Sequence, residues 1–411
     1  MFGHRFKEKH FTHFDPKLVP VNHGAYGAAP TCVVDKYFSE LRRDFSNTDR
    51  YLNKEQRQVY EHSRDEMAKV LKCDPKNLAL IANATTGVNI VLRSFPFSKG
   101  DKIAMPSTTF SSCASTVKFL KEYQGVEFVI VDLELPMADV DVLSAFRHVF
   151  ETHEIRLALF DAVVSFPAAK MPYVELAQLC RDFDVVSVVD GAHSAGLVPV
   201  DFSVFKPDFY TSNLHKWFYV PRPSGVLYVD PKYHNTVQPM PIGHTYYSPK
   251  EQPGEDLLLE KFSYVSSSVF GGVASVPAAI EFRKNVCGGE AAISEYCFTL
   301  ARKVGDLVVK KWPGSYVMEN KDSTQSTAMI NIVFPIHNYV SNFDFSSGPA
   351  FSDYLKIALL DQYNTLAPIQ VYKNKVIVRF SCQVYNELSD YEYACEAIHK
   401  TVQSFLYRST K

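Results

Sequence analysis

The chain has no apolar run long enough to span a bilayer. It has no surplus charge of either sign: 43 Lys and Arg stand against 45 Asp and Glu, a net charge of −2. That balance excludes a protein built around a basic face for nucleic acid or an anionic membrane surface. Cysteines occur singly, at 32, 73, 113, 180, 287, 297, 382 and 395. No CxxC pair is present, so neither a structural zinc site nor any other metal is expected. The thiols read as reduced and mostly buried, as in an intracellular protein. MFGHRFKEKHF at the start lacks the apolar segment of a secretory signal, and RSTK at the end is not a peroxisomal tripeptide, so the cytosol is the expected compartment. Internal repeats and low-complexity tracts are absent as well.

What is present is ordinary globular composition in quantity. Over 411 residues, 46% are hydrophobic and 21% charged, enough for a large core and two domains. The 30 Phe and 23 Tyr are expected to be core for the most part.

The chemistry concentrates between Val185 and Trp217, VVSVVDGAHSAGLVPVDFSVFKPDFYTSNLHKW. VVSVV reads as a buried parallel strand with Asp190 at its carboxyl end. DGAHSAG is a turn carrying Gly191, His193 and Gly196, PDFYTSN is a second strand, and His215-Lys216-Trp217 follows it directly. Ligands of open α/β sheets bind outside the carboxyl ends of the strands. An acid, two histidines and a lysine at two such ends suit pyridoxal 5′-phosphate, which needs a Schiff-base lysine and an acid facing its ring nitrogen. Lys216 and Asp190 take those two catalytic roles. His193 is expected at the phenolic oxygen of the ring, and Asn213 and His215 at the phosphate. Taken singly, an Asp at a strand end is usually a cap and a His-Lys pair usually lies on a surface. The strand order brings them together.

DGAHSAG…DFYTSNLHKW resembles the cofactor segment of class V, fold type I, pyridoxal-phosphate enzymes. Within that class it is similar to the branch of isopenicillin N epimerase-like proteins, cysteine desulfhydrases and hercynylcysteine sulfoxide lyases. Matching stretches run in order from Asn22 to Asn386, nearly the whole chain. The resemblance implies a large, doubly wound, mostly parallel α/β sheet domain and a smaller C-terminal α+β domain. The expected division is an N-terminal arm over 1–20, the cofactor-binding domain over 21–272 and the small domain over 273–411.

Along the chain, VNHGAYGAAP offers glycines whose backbone can approach a ligand closely. The resemblance makes Asn22, His23 and Tyr26 substrate contacts. Thr31 to Phe45 reads as a helix with Val34, Phe38, Leu41 and Phe45 on its inner face, and a second runs from Lys54 to Leu71 with Val59, Ser63, Met67 and Val70 inward. LALIA is a strand, and Asn83-Ala84-Thr85-Thr86-Gly87 opens a helix. Backbone amides at a helix start beside hydroxyls form an anion site, so Thr85, Thr86 and Gly87 are expected at the cofactor phosphate. Phe110 stands where the family stacks a side chain on the ring. Asp161 and Ser165 end a further buried strand beside the pocket. Alternation of strand and helix from Leu78 to Asp190 argues for the parallel sheet.

Residues 231–262 form a long proline-rich excursion, expected at the active site or an interface. In YVSSSVF the family's cross-subunit Gly-Thr-x-Asp pattern is replaced by Ser266-Ser267-Ser268-Val269, in which Ser267 keeps the hydroxyl that would meet the phosphate. A helix is expected over Glu290–Trp312, two strands meeting at Lys373-Asn374-Lys375, and a last helix from Ser389 to Leu406. Arg379, in VIVRFS, matches the arginine that holds a substrate α-carboxylate in this family.

The cofactor assignment implies an amino-acid substrate and, by resemblance, a homodimer, with no nucleic-acid or membrane partner. The leading reaction is carbon–sulfur lysis: β-elimination from cysteine, a cysteine conjugate or a cysteine sulfoxide such as hercynylcysteine sulfoxide, releasing pyruvate and ammonia. An amino-acid epimerase or racemase, or an aminotransferase, is the alternative. Desulfurase chemistry is disfavoured because no cysteine lies between Cys297 and Cys382, where that reaction carries its nucleophile on a mobile loop.

Overall fold

A computed structural model describes residues 2–248, 250–251 and 254–409; the last two residues of the RSTK tail lie outside the described residues. Seven strands make the large sheet: β1 (Leu78–Ile81), β2 (Lys102–Pro106), β3 (Glu127–Val131), β4 (Ile155–Asp161), β5 (Val186–Asp190), β6 (Phe209–Asn213) and β7 (Gly225–Val229). Their spatial order is β1-β7-β6-β5-β4-β2-β3. From β3 to β6 the neighbours are parallel, and β7 runs antiparallel to both β6 and β1. The strands β5, β6 and β7 are buried at every position, as continuous apolar runs covered by helices on both faces require. Helices Ala84–Ser94, Ser111–Gln124, Asp139–Thr152 and Tyr173–Asp182 connect the strands, matching the expected alternation.

The smaller sheet has four strands, β8 (Tyr316–Val317), β9 (Met329–Phe334), β10 (Ile369–Tyr372) and β11 (Lys375–Ser381), in the antiparallel order β8-β9-β11-β10. Lys373 and Asn374, both at positive φ, form the two-residue turn between β10 and β11. This sheet packs with helices Glu290–Lys311, Gly348–Tyr363 and Leu388–Ser409 around a second core that includes Leu300, Val304, Phe351, Phe380 and Ile398. The helix Val276–Glu281 still packs on the first core, through Val276 and Ala279. The N-terminal stretch ties the units together: Val21 lies in the second core, and Asn22 bridges to Ser381. Helix His4–His10 puts Phe6 into the first core, beside Phe11 and Phe282.

One expected face is corrected. Helix Thr31–Ser46 buries Val33 and Glu40, whereas Phe38 is 50% and Phe45 76% exposed. Val34 and Leu41 are half-buried, so only the Phe38 and Phe45 part of the stripe looks outward in the single chain. In helix Gln56–Leu71, Ser63 and Met67 are buried as expected, while Tyr60, Arg64 and Leu71 fill the places expected for Val59 and Val70, which are only half-buried.

Candidate active site

Parallel pairing in register sets the acid end of the site. Asp161 on β4 is the partner of Asp190 on β5, and Asp190 is the partner of Thr211 on β6, so two carboxylates leave the same sheet edge side by side. Both are buried. One Asp190 oxygen accepts the Ala192 N–H at 2.9 Å and the other accepts the Cys113 thiol at 3.2 Å. Burial, and then the adjacent Asp190, hold the Asp161 carboxyl well above the usual range.

Lys216 reaches this edge from the turn after β6. Its Nζ lies 3.0 Å from His193 Nε2. Burial lowers its pKa to about 8, with Asp190 pulling the other way and Arg379 adding to the depression. A lysine so poised gives up its proton far more readily than an ordinary one, and the free amine is the form that attacks a carbonyl and accepts a proton. His193 is buried, and burial followed by the cations Lys216 and Arg379 keeps its pKa well below the ordinary value.

Gly27 shows why the Asn22–Pro30 segment needs its glycines. It sits at φ +68°, and a Cβ there would lie 1.8 Å from the His215 carbonyl oxygen. The turn therefore lies directly on the lysine loop.

Arg379 closes the other side. Its Nη1 donates to the Ser165 carbonyl at 2.6 Å and its Nη2 to Asn22 Oδ1 at 3.2 Å. Its Nε is buried without a hydrogen-bond partner, and among the described residues no carboxylate pairs with it. Burial lowers its pKa to about 10. A guanidinium desolvated to this degree without an acid is arranged for an anion from outside.

At the anion end, Asn83 caps helix Ala84–Ser94: its side-chain oxygen accepts the Thr86 N–H at 2.8 Å and the Thr86 hydroxyl at 3.1 Å. Asn213 Oδ1 accepts the Ala84 N–H at 2.8 Å, leaving its amide nitrogen for a ligand. Gly87 spends its N–H on the Asn83 carbonyl, and a Cβ there would lie 2.1 Å from Thr211 Oγ1. Gly87 thus serves helix-on-strand packing, its N–H already engaged, and among the described residues no hydrogen bond engages the amide or hydroxyl of Thr85. His215 has Nδ1 3.0 Å from the Ser224 carbonyl, so Nδ1–H donates there. Burial lowers its pKa to about 4, and it would meet a phosphate through Nε2 only on gaining a second proton.

Other expected contacts fall elsewhere. His23 is buried in an aromatic nest of Trp217, Tyr219 and Tyr385, with Nδ1 2.9 Å from the Tyr385 hydroxyl and its pKa lowered by burial to about 3. It packs against the lysine loop, and its Nε2 is buried without a hydrogen-bond partner. Tyr26 is 66% exposed under the Arg222 guanidinium, 5.7 Å away. Ser267 is exposed, with its hydroxyl 3.3 Å from that of Tyr264, while its neighbours Ser266 and Ser268 line a cavity of about 250 Å³ that Thr86 also lines. Phe110 precedes the helix that carries Cys113 to Asp190, and the residue is 43% exposed. Sequence reasoning missed Cys113, Asn83, Trp217 and Arg283. Only Asn83 left a signal, as a cap residue three positions before Thr86. Arg283 is buried and donates to the carbonyls of Trp217 at 2.7 Å and Gly196 at 3.0 Å, clasping the two active-site turns.

The aminotransferase class-V family profile matches residues 24–392. The chain belongs to the class-V aminotransferase family. It is 29% identical over 399 residues to hercynylcysteine sulfoxide lyase of Schizosaccharomyces pombe, covering 97% of each chain. It is 28% identical over 423 residues to the probable chloroplastic L-cysteine desulfhydrase of Arabidopsis thaliana, covering 96% of this chain and 85% of the relative. With isopenicillin N epimerase of Streptomyces clavuligerus it shares 26% over 249 residues, 60% of this chain and 62% of that one. The solved complex of the cystine C–S lyase C-DES with cysteine persulfide shares the fold, at a TM-score of 0.76 and 18% identity over 93% of this chain and 97% of that one.

The side chains fit the class-V cofactor, pyridoxal phosphate. A lysine of lowered basicity, a buried acid, a donor histidine, a disengaged helix-start threonine and an arginine with an orphaned donor converge on one edge.

Proposed function

We propose that this class-V family member is a pyridoxal-phosphate-dependent carbon–sulfur lyase that eliminates the β-sulfur group of cysteine, a cysteine conjugate or a cysteine sulfoxide. The observation that carries amino-acid chemistry is Arg379, buried, lacking an acid partner and close enough to Lys216 to depress its basicity. The choice of sulfur follows the relatives named as a hercynylcysteine sulfoxide lyase and cysteine desulfhydrases.

Pyridoxal phosphate, when bound, supplies an electron sink for the pair released at the substrate α-carbon. Arg379 binds the α-carboxylate through Nε and its outer nitrogens, held in place by Ser165 and Asn22. Lys216 Nζ takes the α-proton. Asp190, fixed by the Ala192 amide and the Cys113 thiol, is the carboxyl that faces the ring nitrogen. Thr85 and Asn213 hold the phosphate. The Cβ–S bond then breaks with its electron pair leaving on sulfur, and water converts the remaining three-carbon fragment to pyruvate and ammonia.

A persulfide-forming route is not favoured. Cys297 and Cys382 are both fully buried, and burial pushes both thiols up, Cys382 to about 12. The exposed Phe38 and Phe45 support a homodimer formed across helix Thr31–Ser46. Eight free cysteines support the reducing cytosol.

The test is a substrate panel on the purified, cofactor-loaded protein: cysteine, cysteine-conjugate sulfoxides and ordinary L-amino acids. Pyruvate from the sulfur compounds supports lysis. Formation of D-isomers, or amino transfer to a keto acid without pyruvate, replaces the lyase by the epimerase or aminotransferase.

A further inference from the structure

We propose that the Trp217 indole N–H is a positioning group of the cofactor site: it fixes His193 in the tautomer whose Nε2–H faces Lys216. The inference deepens the pyridoxal-phosphate reading and rests on it only for the role of the proton, not for its location.

Trp217 Nε1–H donates to His193 Nδ1 at 3.3 Å. An indole nitrogen can only donate, so Nδ1 presents a lone pair. A neutral imidazole then carries its single hydrogen on Nε2. That nitrogen is 3.0 Å from Lys216 Nζ. The charged and titratable groups around the pair come from every adjoining element: Asp161 from β4, Asp190 from β5, Arg379 from β11, Cys113 from helix Ser111–Gln124 and His215 from the lysine turn. Burial keeps the ring neutral, and with Lys216 in its free-amine form Nε2–H donates and Nζ accepts.

The indole has little freedom to release this bond. It is 2% exposed, the His23 ring lies 5.0 Å from it, and a Cβ on Gly24 would come within 3.1 Å of Cζ2. Arg283 holds the Trp217 carbonyl. In pyridoxal bound through a lysine, the phenolic oxygen of the ring neighbours the carbon joined to that lysine nitrogen. A donor aimed at Nζ is therefore aimed at the side of the ring where the phenolate charge sits. The opposite tautomer would turn a lone pair toward that charge. Trp217 thus selects, through His193, the polarity of the cofactor pocket.

The test removes the N–H and keeps the shape. 3-Benzothienylalanine, with sulfur in place of the indole nitrogen, is incorporated at position 217 of the full chain in a Trp312→Phe background, and Trp217→Phe is made in parallel. The first readout is the ¹⁵N shift of the His193 ring in cofactor-free protein above the Lys216 pKa of about 8, where Nζ is a free amine, assigned by its loss in His193→Gln. The expected result is an Nε2–H ring in the parent and a mixed or reversed ring in the isostere. The second is the pH midpoint of the visible band after loading with pyridoxal phosphate. It should rise by roughly one pH unit in the isostere, the worth of one hydrogen bond to a charged group. In a His193→Gln background, whose amide nitrogen donates without help, it should not move. An isostere with unchanged tautomer and midpoint, or with the same shift in the His193→Gln background, overturns the proposal. Absence of any visible band in the parent would sink the cofactor reading, while the cofactor-free ¹⁵N readout would still decide the role of Trp217.

Discussion

Asp161 and Asp190 stand opposite each other in register on adjacent parallel strands, both buried, at the edge where Lys216 arrives. Two carboxylates this close do not both keep a charge, and burial with the Asp190 charge raises the Asp161 pKa. The raised pKa favours the neutral form of Asp161. Asp161→Asn, a neutral isostere, should leave kcat/KM within about threefold, whereas Asp190→Asn should cost on the order of 100-fold or more. Steady-state kinetics on both variants checks the assignment. Equal losses would mean that the charge is shared.

Lys216 gives a pH signature that needs no substrate. Its folded pKa of about 8 lies below the unbound lysine value of 10.5, so between those limits the unfolded chain holds more protons and stability rises with pH. Lys216→Met removes the term. In cofactor-free protein the variant should exceed the parent by up to about 3 kcal/mol below pH 8, and the difference should vanish toward pH 10.5. Urea unfolding at several pH values measures it. A difference independent of pH would place the amine in a solvated setting.

Arg379 trades stability for binding. Arg379→Leu should abolish amino-acid turnover and yet stabilise the cofactor-free fold by at least about 1 kcal/mol, because an unpaired buried charge is removed. Thermal melts and activity read the two halves. Loss of stability without change in KM would remove the carboxylate role.

Gly27 has no room for a side chain. Gly27→Ala puts a methyl group 1.8 Å from the His215 carbonyl oxygen at a positive φ, and should cost at least about 2 kcal/mol and weaken cofactor retention. The visible band after gel filtration reports retention.

Phe45, 76% exposed, should be covered in solution by a second subunit. Phe45→Glu should shift the parent dimer toward monomer in light scattering, and a parent that is monomeric at micromolar concentration would refute this.

The strand-and-helix alternation and the Asp190–Lys216 pairing were legible because both are local patterns: period, strand-end position, and short turns of fixed residue type. What the sequence hid depends on contacts between distant segments. Cys113 meets Asp190, and Arg283 clasps Gly196 and Trp217, only because helices from elsewhere in the chain fold over the edge. That His23 meets Tyr385 and Gly87 lies on Thr211 could not be read from their neighbours in sequence. Phe38 and Phe45 gave a true apolar period, and period alone does not say whether the covering surface belongs to the same chain.

The central claim is that one lysine carries the cofactor. Borohydride reduction of the protein loaded with pyridoxal phosphate, followed by proteolysis and mass spectrometry, locates that bond. The account predicts a single pyridoxyl-modified peptide, labelled at Lys216, and none in Lys216→Ala. A label on another lysine, or persistence of the label in Lys216→Ala, would contradict it.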